Sequence, residues 1–166
     1  VEFGQNIRNV IHVRLNRRKK LPATALLRAL GWESDAEILK LFSGIETVSL
    51  DNFSNLEGRI LAEPIIDKNT GEIVASAGDS AYSEEFYERL SESNINEIRV
   101  LEKREDNPEI ECLLNTIEKD KTTNQTEALK AIFKRLQPGE PPNEKNARKR
   151  LDRMFSDSNR YNLSKV

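Results

Sequence analysis

The chain has 166 residues, enough for one domain or for one domain carrying a small insert. No apolar run approaches the roughly 18 residues of a membrane-spanning helix. One cysteine and one histidine exclude a disulfide framework or a zinc constellation. The net charge of −2 conceals a segregation. Residues 1–30 hold seven Lys/Arg against one Glu, residues 31–123 nine against twenty-two acids, and residues 124–166 ten against five. This order predicts that the two ends meet as one cationic body, with an acidic middle projecting from it and a polyanion beside the ends. The chain opens on Val1 inside strand-like sequence and reads as a piece of something longer, from a reducing, cytoplasmic compartment.

In chain order, a turn at Gly4-Gln5-Asn6 precedes a strand over about 9–16, with Val13 and Leu15 apolar around Arg14. Four consecutive cations follow, Arg17, Arg18, Lys19 and Lys20. Pro22 suits the first position of a helix whose apolar stripe is Leu26, Leu27 and Leu30 and whose stop is Gly31. Ser34 and Glu37 form a capping box for a second helix with Ile38, Leu39, Leu41 and Phe42 inward, ending at Gly44.

Residues 45–56 read as loop. Arg59–Ile66 and Glu72–Ala77 read as strands around the turn Asp67-Lys68-Asn69-Thr70-Gly71, a β-hairpin. That turn resembles the opening of a calcium loop, yet it lacks the third ligand before glycine and the distal bidentate Glu, so a hairpin turn is the reading. A helix from Ser83 to about Ser93 and a short strand Ile98–Leu101 complete a unit with its own small core. Residues 103–109 are charged loop, residues 110–117 fit a strand or a frayed helix, and Lys119–Thr123 is polar loop.

The last part is organised around Leu136-Gln137-Pro138-Gly139-Glu140-Pro141-Pro142-Asn143. Leu129, Ile132, Phe133 and Leu136 lie on one helical face before it, and Ala147, Leu151, Met154 and Phe155 on another after it. Pro138 cannot continue the first helix, Gly139 takes the positive φ of a sharp exit, and Asn143 is placed to cap the second. An ordinary helix–helix connection is the plainer reading, although three prolines in five residues exceed what a turn needs.

Lys and Arg neutralise phosphates without reading sequence, so Arg17, Arg18, Lys19 and Lys20 are the leading nucleic-acid candidates, against the plainer reading of a solvated rim. Arg148, Lys149, Arg150 and Arg153 form a second stripe, with Arg150 and Arg153 one turn apart. His12 reads as structural or exposed and Cys112 as a packed thiol. There is no GxxxxGK[ST], no GxGxxG and no nucleophile elbow, so no cofactor is expected in this segment. The fold class is α+β: a helix-rich base from residues 1–44 and 110–166, carrying an inserted hairpin/helix/strand unit over 45–109.

Arg17–Gly31, Arg135–Asn143 and Asp157–Val166 together resemble the lobe domain of the β subunit of bacterial DNA-directed RNA polymerase. The motifs fall in family order at the two ends, over roughly 1–42 and 124–166. The middle looks like the variable insertion of that lobe, to which Asp67–Ala75 is also similar. Gln137 stands where the family usually has an Arg that helps line a pocket for a non-template-strand base, and Asn16 where it usually has Asp. An aromatic of that pocket would precede Val1.

The resemblance implies a non-catalytic lobe that borders the downstream DNA cleft and positions DNA during transcription, with Arg17, Arg18, Lys19 and Lys20 on phosphates and Gln137 near single-stranded DNA. The implied partners are DNA, the β′ and σ subunits, and regulators at the insert. Catalytic magnesium would belong to the β′ subunit, leaving this segment without an active site, no membrane partner, and monomeric in isolation. The alternative is a protein-interaction module that docks transcription factors through the acidic insert without touching DNA.

Overall fold

Head and tail of the chain build one unit, residues 1–33 with 118–166, and residues 34–117 build another. The fold is α+β, as expected. The computed structural model describes residues 2–5, 9–15, 17, 20–51, 53–93, 95–102 and 108–156. Arg18, Lys19, Asn16 and the motif at 157–166 therefore lie outside the described residues. The joints fall at 33/34 and 117/118, whereas the sequence reading set them at 44/45 and 109/110. The helix over Asp35–Phe42 and most of the helix over Pro108–Lys119 thus belong to the middle unit.

In the unit of the two ends, β1 (Glu2–Gln5), β2 (Ile11–Arg14) and β3 (Leu21–Pro22) form an antiparallel sheet in that order. Gly4 and Gln5, expected in a turn, instead pair in β1 with His12 and Ile11. All four β1 residues are exposed, so this edge strand has no apolar alternation to betray it. Pro22 pairs with His12, which holds it extended (φ −57°, ψ 138°) as the cap of α1 (Ala23–Leu30) rather than its first residue. Gly31, at φ 122°, ends α1.

Among the described residues, two further helices belong to this unit, α5 (Gln125–Leu136) and α6 (Glu144–Ser156). Asn124 caps α5 by accepting from the Glu127 backbone N–H at 2.9 Å. The core joins Val13, Leu15 and Leu21 of the sheet segment to Leu26 of α1, Leu129, Ile132 and Phe133 of α5, and Leu151 and Met154 of α6. Each fully buried aliphatic or aromatic side chain contributes about 1.5–3 kcal/mol. In α5 and α6 the spacing read from the sequence is the packing stripe, but in α1 the core takes Ala25, Leu26 and Ala29, while Leu27 is half-buried and Leu30 is exposed rather than inward.

In the middle unit, α2 (Asp35–Phe42) starts at the expected box, with Ser34 N–H donating to Glu37 Oε2 at 2.9 Å and Glu37 N–H to Ser34 Oγ at 3.2 Å. Residues 45–49, read as loop, are strand β4 (Ile45–Ser49), which pairs antiparallel with β7 (Glu97–Leu101). The partner lies about half a hundred residues on, so local composition alone left β4 undetermined. The strand expected over 59–66 is broken. Leu61 bridges Val100 beside β7, and only β5 (Ile65–Ile66) pairs with β6 (Ile73–Ala75), through a register shift. Pro64, which has no N–H, sits between the two pieces. Asp67 organises the hairpin turn by accepting from the Asn69 N–H at 2.7 Å, and Gly71 takes φ 74°. Helix α3 (Glu84–Glu92) and helix α4 (Pro108–Lys119) follow, so residues 110–117 are helical. Leu50, Leu56, Leu61, Phe86, Leu90 and Val100 fill a core of this unit's own. No helix of the described residues is long and apolar enough to cross a membrane.

Candidate nucleic-acid interface

Counted by unit, the two ends carry nineteen basic and nine acidic side chains, and the middle seven against nineteen. The cationic body and the acidic body are therefore separate folding units. On the first, the loop between β2 and β3 displays Arg17 and Lys20, both exposed. Arg17 sits at φ 57°, a left-handed backbone unusual for a long side chain. Lys20 ends the loop, and its carbonyl oxygen accepts from Arg135 Nη1 at 2.9 Å. Sequence reasoning missed this tie, because nothing at position 135 signals a backbone carbonyl far away in the chain.

Arg135 and Lys134 occupy the last turn of α5, where cations complement the exposed carbonyls of a helix C-terminus. Gln137 follows as the cap, its N–H donating to the Phe133 carbonyl at 2.8 Å. Its side-chain amide leans on Glu140 Oε1 at 3.4 Å, inside the elbow. Gly139 takes φ 109° as expected, and Asn143 Oδ1 accepts from the Lys145 N–H at 3.0 Å to start α6. Because Ala147, Leu151 and Met154 face the core, Arg148, Lys149 and Arg153 are exposed and Arg150 is half-buried.

The two cation groups are not one cluster along α5. Arg148 Nη2 donates to Gln125 Oε1 at 2.8 Å, at the first residue of α5, while Arg135 binds Lys20 from its last turn. Those ends of a 12-residue helix are about 16 Å apart. Gln125 also donates from Nε2 to the Ala29 carbonyl at 3.0 Å, so Arg148 is held against the end of α1.

Along the elbow lies an open groove of about 1150 Å³. Leu21, Pro22, Ala25 and Ala131 form its floor, and the prolines of the elbow form one side. Lys119, Lys121, Lys134 and Arg135 line it as well, with Glu140 the exposed acid among them. Asp120, also in the lining, is spent elsewhere. Its carboxylate accepts from Thr24 Oγ1 at 2.6 Å, Arg28 Nε at 3.3 Å, and the Thr122 N–H and Oγ1 at 2.9 and 2.7 Å. The Arg28 and Asp120 side chains are 4% and 1% exposed, a buried pair whose lone pairs are nearly all engaged. The Asp-Lys-Thr spacing that lets Asp120 bind the Thr122 N–H was the available clue in the sequence.

Among the described residues, no three or more His, Cys, Asp or Glu gather to hold a metal ion. His12 is half-buried in β2, and its Nδ1 has no hydrogen-bond partner among the described residues. Cys112 is buried, as expected of a packed thiol.

No protein-family model matches the chain. Individual relatives do. The β subunit of DNA-directed RNA polymerase from Flavobacterium psychrophilum is 35% identical across the whole of this chain, which covers 14% of that relative. The β subunit of Chlamydia abortus is 37% identical over 94% of the chain and 12% of its own length. That of Phocaeicola vulgatus is 30% identical over the whole chain and 14% of its own length. By sequence, the chain belongs to the DNA-directed RNA polymerase β-subunit family. It spans about a seventh of the relatives it matches, as one segment of such a subunit. The match runs through both folding units of this β-subunit segment, the acidic middle included.

Proposed function

We propose that this β-subunit segment is a non-catalytic lobe that lines the downstream DNA cleft of RNA polymerase and positions DNA during transcription. The observation that carries the reading is the pairing of cationic loop and elbow. Arg17 and Lys20 are exposed on a loop whose end is tied by Arg135 to the helix that enters the proline elbow. A loop fixed in this way presents charges to phosphates at defined spacing, which orients a duplex without reading its sequence. Arg18 and Lys19 extend the run to four cations in sequence. Gln137, turned onto Glu140, leaves the base pocket to other groups, and the α6 stripe forms a second, more distant contact. In the assembled enzyme the partners of this segment are DNA, the β′ and σ subunits, and regulators on the acidic middle.

Fluorescence anisotropy with a labelled forked duplex tests the reading. With about four phosphates contacted, log affinity falls against log salt with a slope near −3 to −4. Reversing Arg17 and Arg18 to Glu abolishes retention of the duplex. A slope near zero, or retention unchanged by that reversal, removes direct DNA contact from this segment.

A further inference from the structure

We propose that the groove along the elbow docks a short acidic peptide segment, rich in aliphatic side chains, from a protein partner. The floor and one side are aliphatic, from Leu21, Pro22, Ala131 and the prolines Pro138, Pro141 and Pro142. Burial of apolar surface there is the drive, at about 25 cal/mol per Å². Charge decides the rest. Lys119, Lys121 and Lys134 are exposed and have no ion-pair partner among the described residues, and Arg135 uses Nη1 on a neutral carbonyl. Asp120 cannot neutralise them, because Thr24, Arg28 and Thr122 already occupy its oxygens. Among the described lining residues, Glu140 is the one acid left to oppose four cations. The groove therefore selects an occupant that is both anionic and apolar.

An acidic peptide meets both demands. Single-stranded nucleic acid meets only the first, since sequence-tolerant base binding rests on aromatic platforms and, among the described residues, no aromatic side chain lines this groove. The prolines also fix the wall before binding, so little ordering is required of the protein side. This surface is distinct from the exposed loop cations Arg17 and Lys20, and it stands whether or not that loop contacts DNA.

The test uses the 166-residue chain and a fluorescein-labelled twelve-residue peptide of alternating Leu and Glu, read by anisotropy at low salt. The expected result is saturable binding. It is weakened about tenfold or more by K121E/K134E, a loss of about 1.4 kcal/mol. The matched double reversal R14E/K145E, at exposed positions of the same unit outside the groove lining, changes it by less than about twofold. Replacing every Leu of the peptide by Ser weakens it about tenfold as well. Excess oligothymidylate leaves the peptide bound. The proposal is overturned by no binding, by equal loss in the two double variants, by a Ser–Glu peptide that binds as well, or by displacement with oligothymidylate, which would make the groove a nucleic-acid site.

Discussion

Arg135 donates from Nη1 to the carbonyl oxygen of Lys20 at 2.9 Å, joining positions 115 apart in sequence. The bond fixes the end of the cationic loop against the helix that leads into the elbow. If Arg135 acts by positioning, charge alone does not replace it. R135K keeps the cation but cannot reproduce the planar fork on that carbonyl. It is expected to weaken forked-duplex binding about threefold, and R135M about tenfold. An exposed hydrogen bond is worth about 0.5–1.5 kcal/mol, so neither variant should lower the melting temperature by more than about 6 °C. Duplex affinity of R135K equal to wild type would reduce Arg135 to a point charge.

Asp120 sets the stability of the same unit rather than its binding. Removing one partner of a buried ion pair leaves an uncompensated charge, at about 3–5 kcal/mol. D120N is expected to destabilise the chain by that amount in urea unfolding, with R28M similar. The double variant D120N/R28M should recover part of the loss, because no buried charge is then left alone. A double variant as unstable as the sum of the two singles would assign the cost to packing and to the Thr24 and Thr122 bonds instead.

What could be read in the sequence follows the range of the interactions. The stripes Leu129–Leu136 and Ala147–Met154, the box Ser34/Glu37, the Gly139 exit and the Asn143 cap are set by residues within a few positions of one another, and all stand in the structure. The meeting of the two basic ends was legible only as a charge pattern. β4 was not legible, since Ile45–Ser49 becomes a strand through Glu97–Leu101. Nor were the contacts that shape the candidate interface, from Arg135 to the Lys20 carbonyl and from Asp120 to Arg28, which join groups that mean nothing at their local spacing. A stretch read as polar loop, Lys119–Thr123, holds the buried carboxylate of Asp120.

Glu127 gives the unit a defined acid response. Its Oε2 accepts from the Thr123 backbone N–H at 2.9 Å and from Thr123 Oγ1 at 3.0 Å, just before α5. The Thr123 backbone donor first, then its hydroxyl, and more weakly Lys130, hold the carboxyl below its ordinary 4.5. A carboxyl depressed in the folded state stabilises fully above the unfolded value and loses that contribution as pH falls through the folded one. Thermal melts of wild type and E127Q should therefore differ by a constant gap from pH 7 to about 5, closing below 4.5. A gap that survives unchanged at about pH 3 would assign the effect to side-chain shape.

Arg17 couples strain to the proposed contact. At φ 57° an L-residue with a side chain is held against its preference, at about 1–2 kcal/mol, whereas glycine adopts that backbone freely. R17G removes the strain but adds freedom to the unfolded chain, leaving a net gain of about 0.5–1 kcal/mol. The same change deletes one exposed cation, so duplex affinity falls and the log–log salt slope becomes shallower by about 1. R17N supplies the control, since asparagine tolerates the left-handed region and carries no charge. It should match R17G in binding and lie between it and wild type in stability. If R17G is less stable than wild type, the Arg17 side chain stabilises the loop more than its backbone costs, and the strain has no part in presenting the charge.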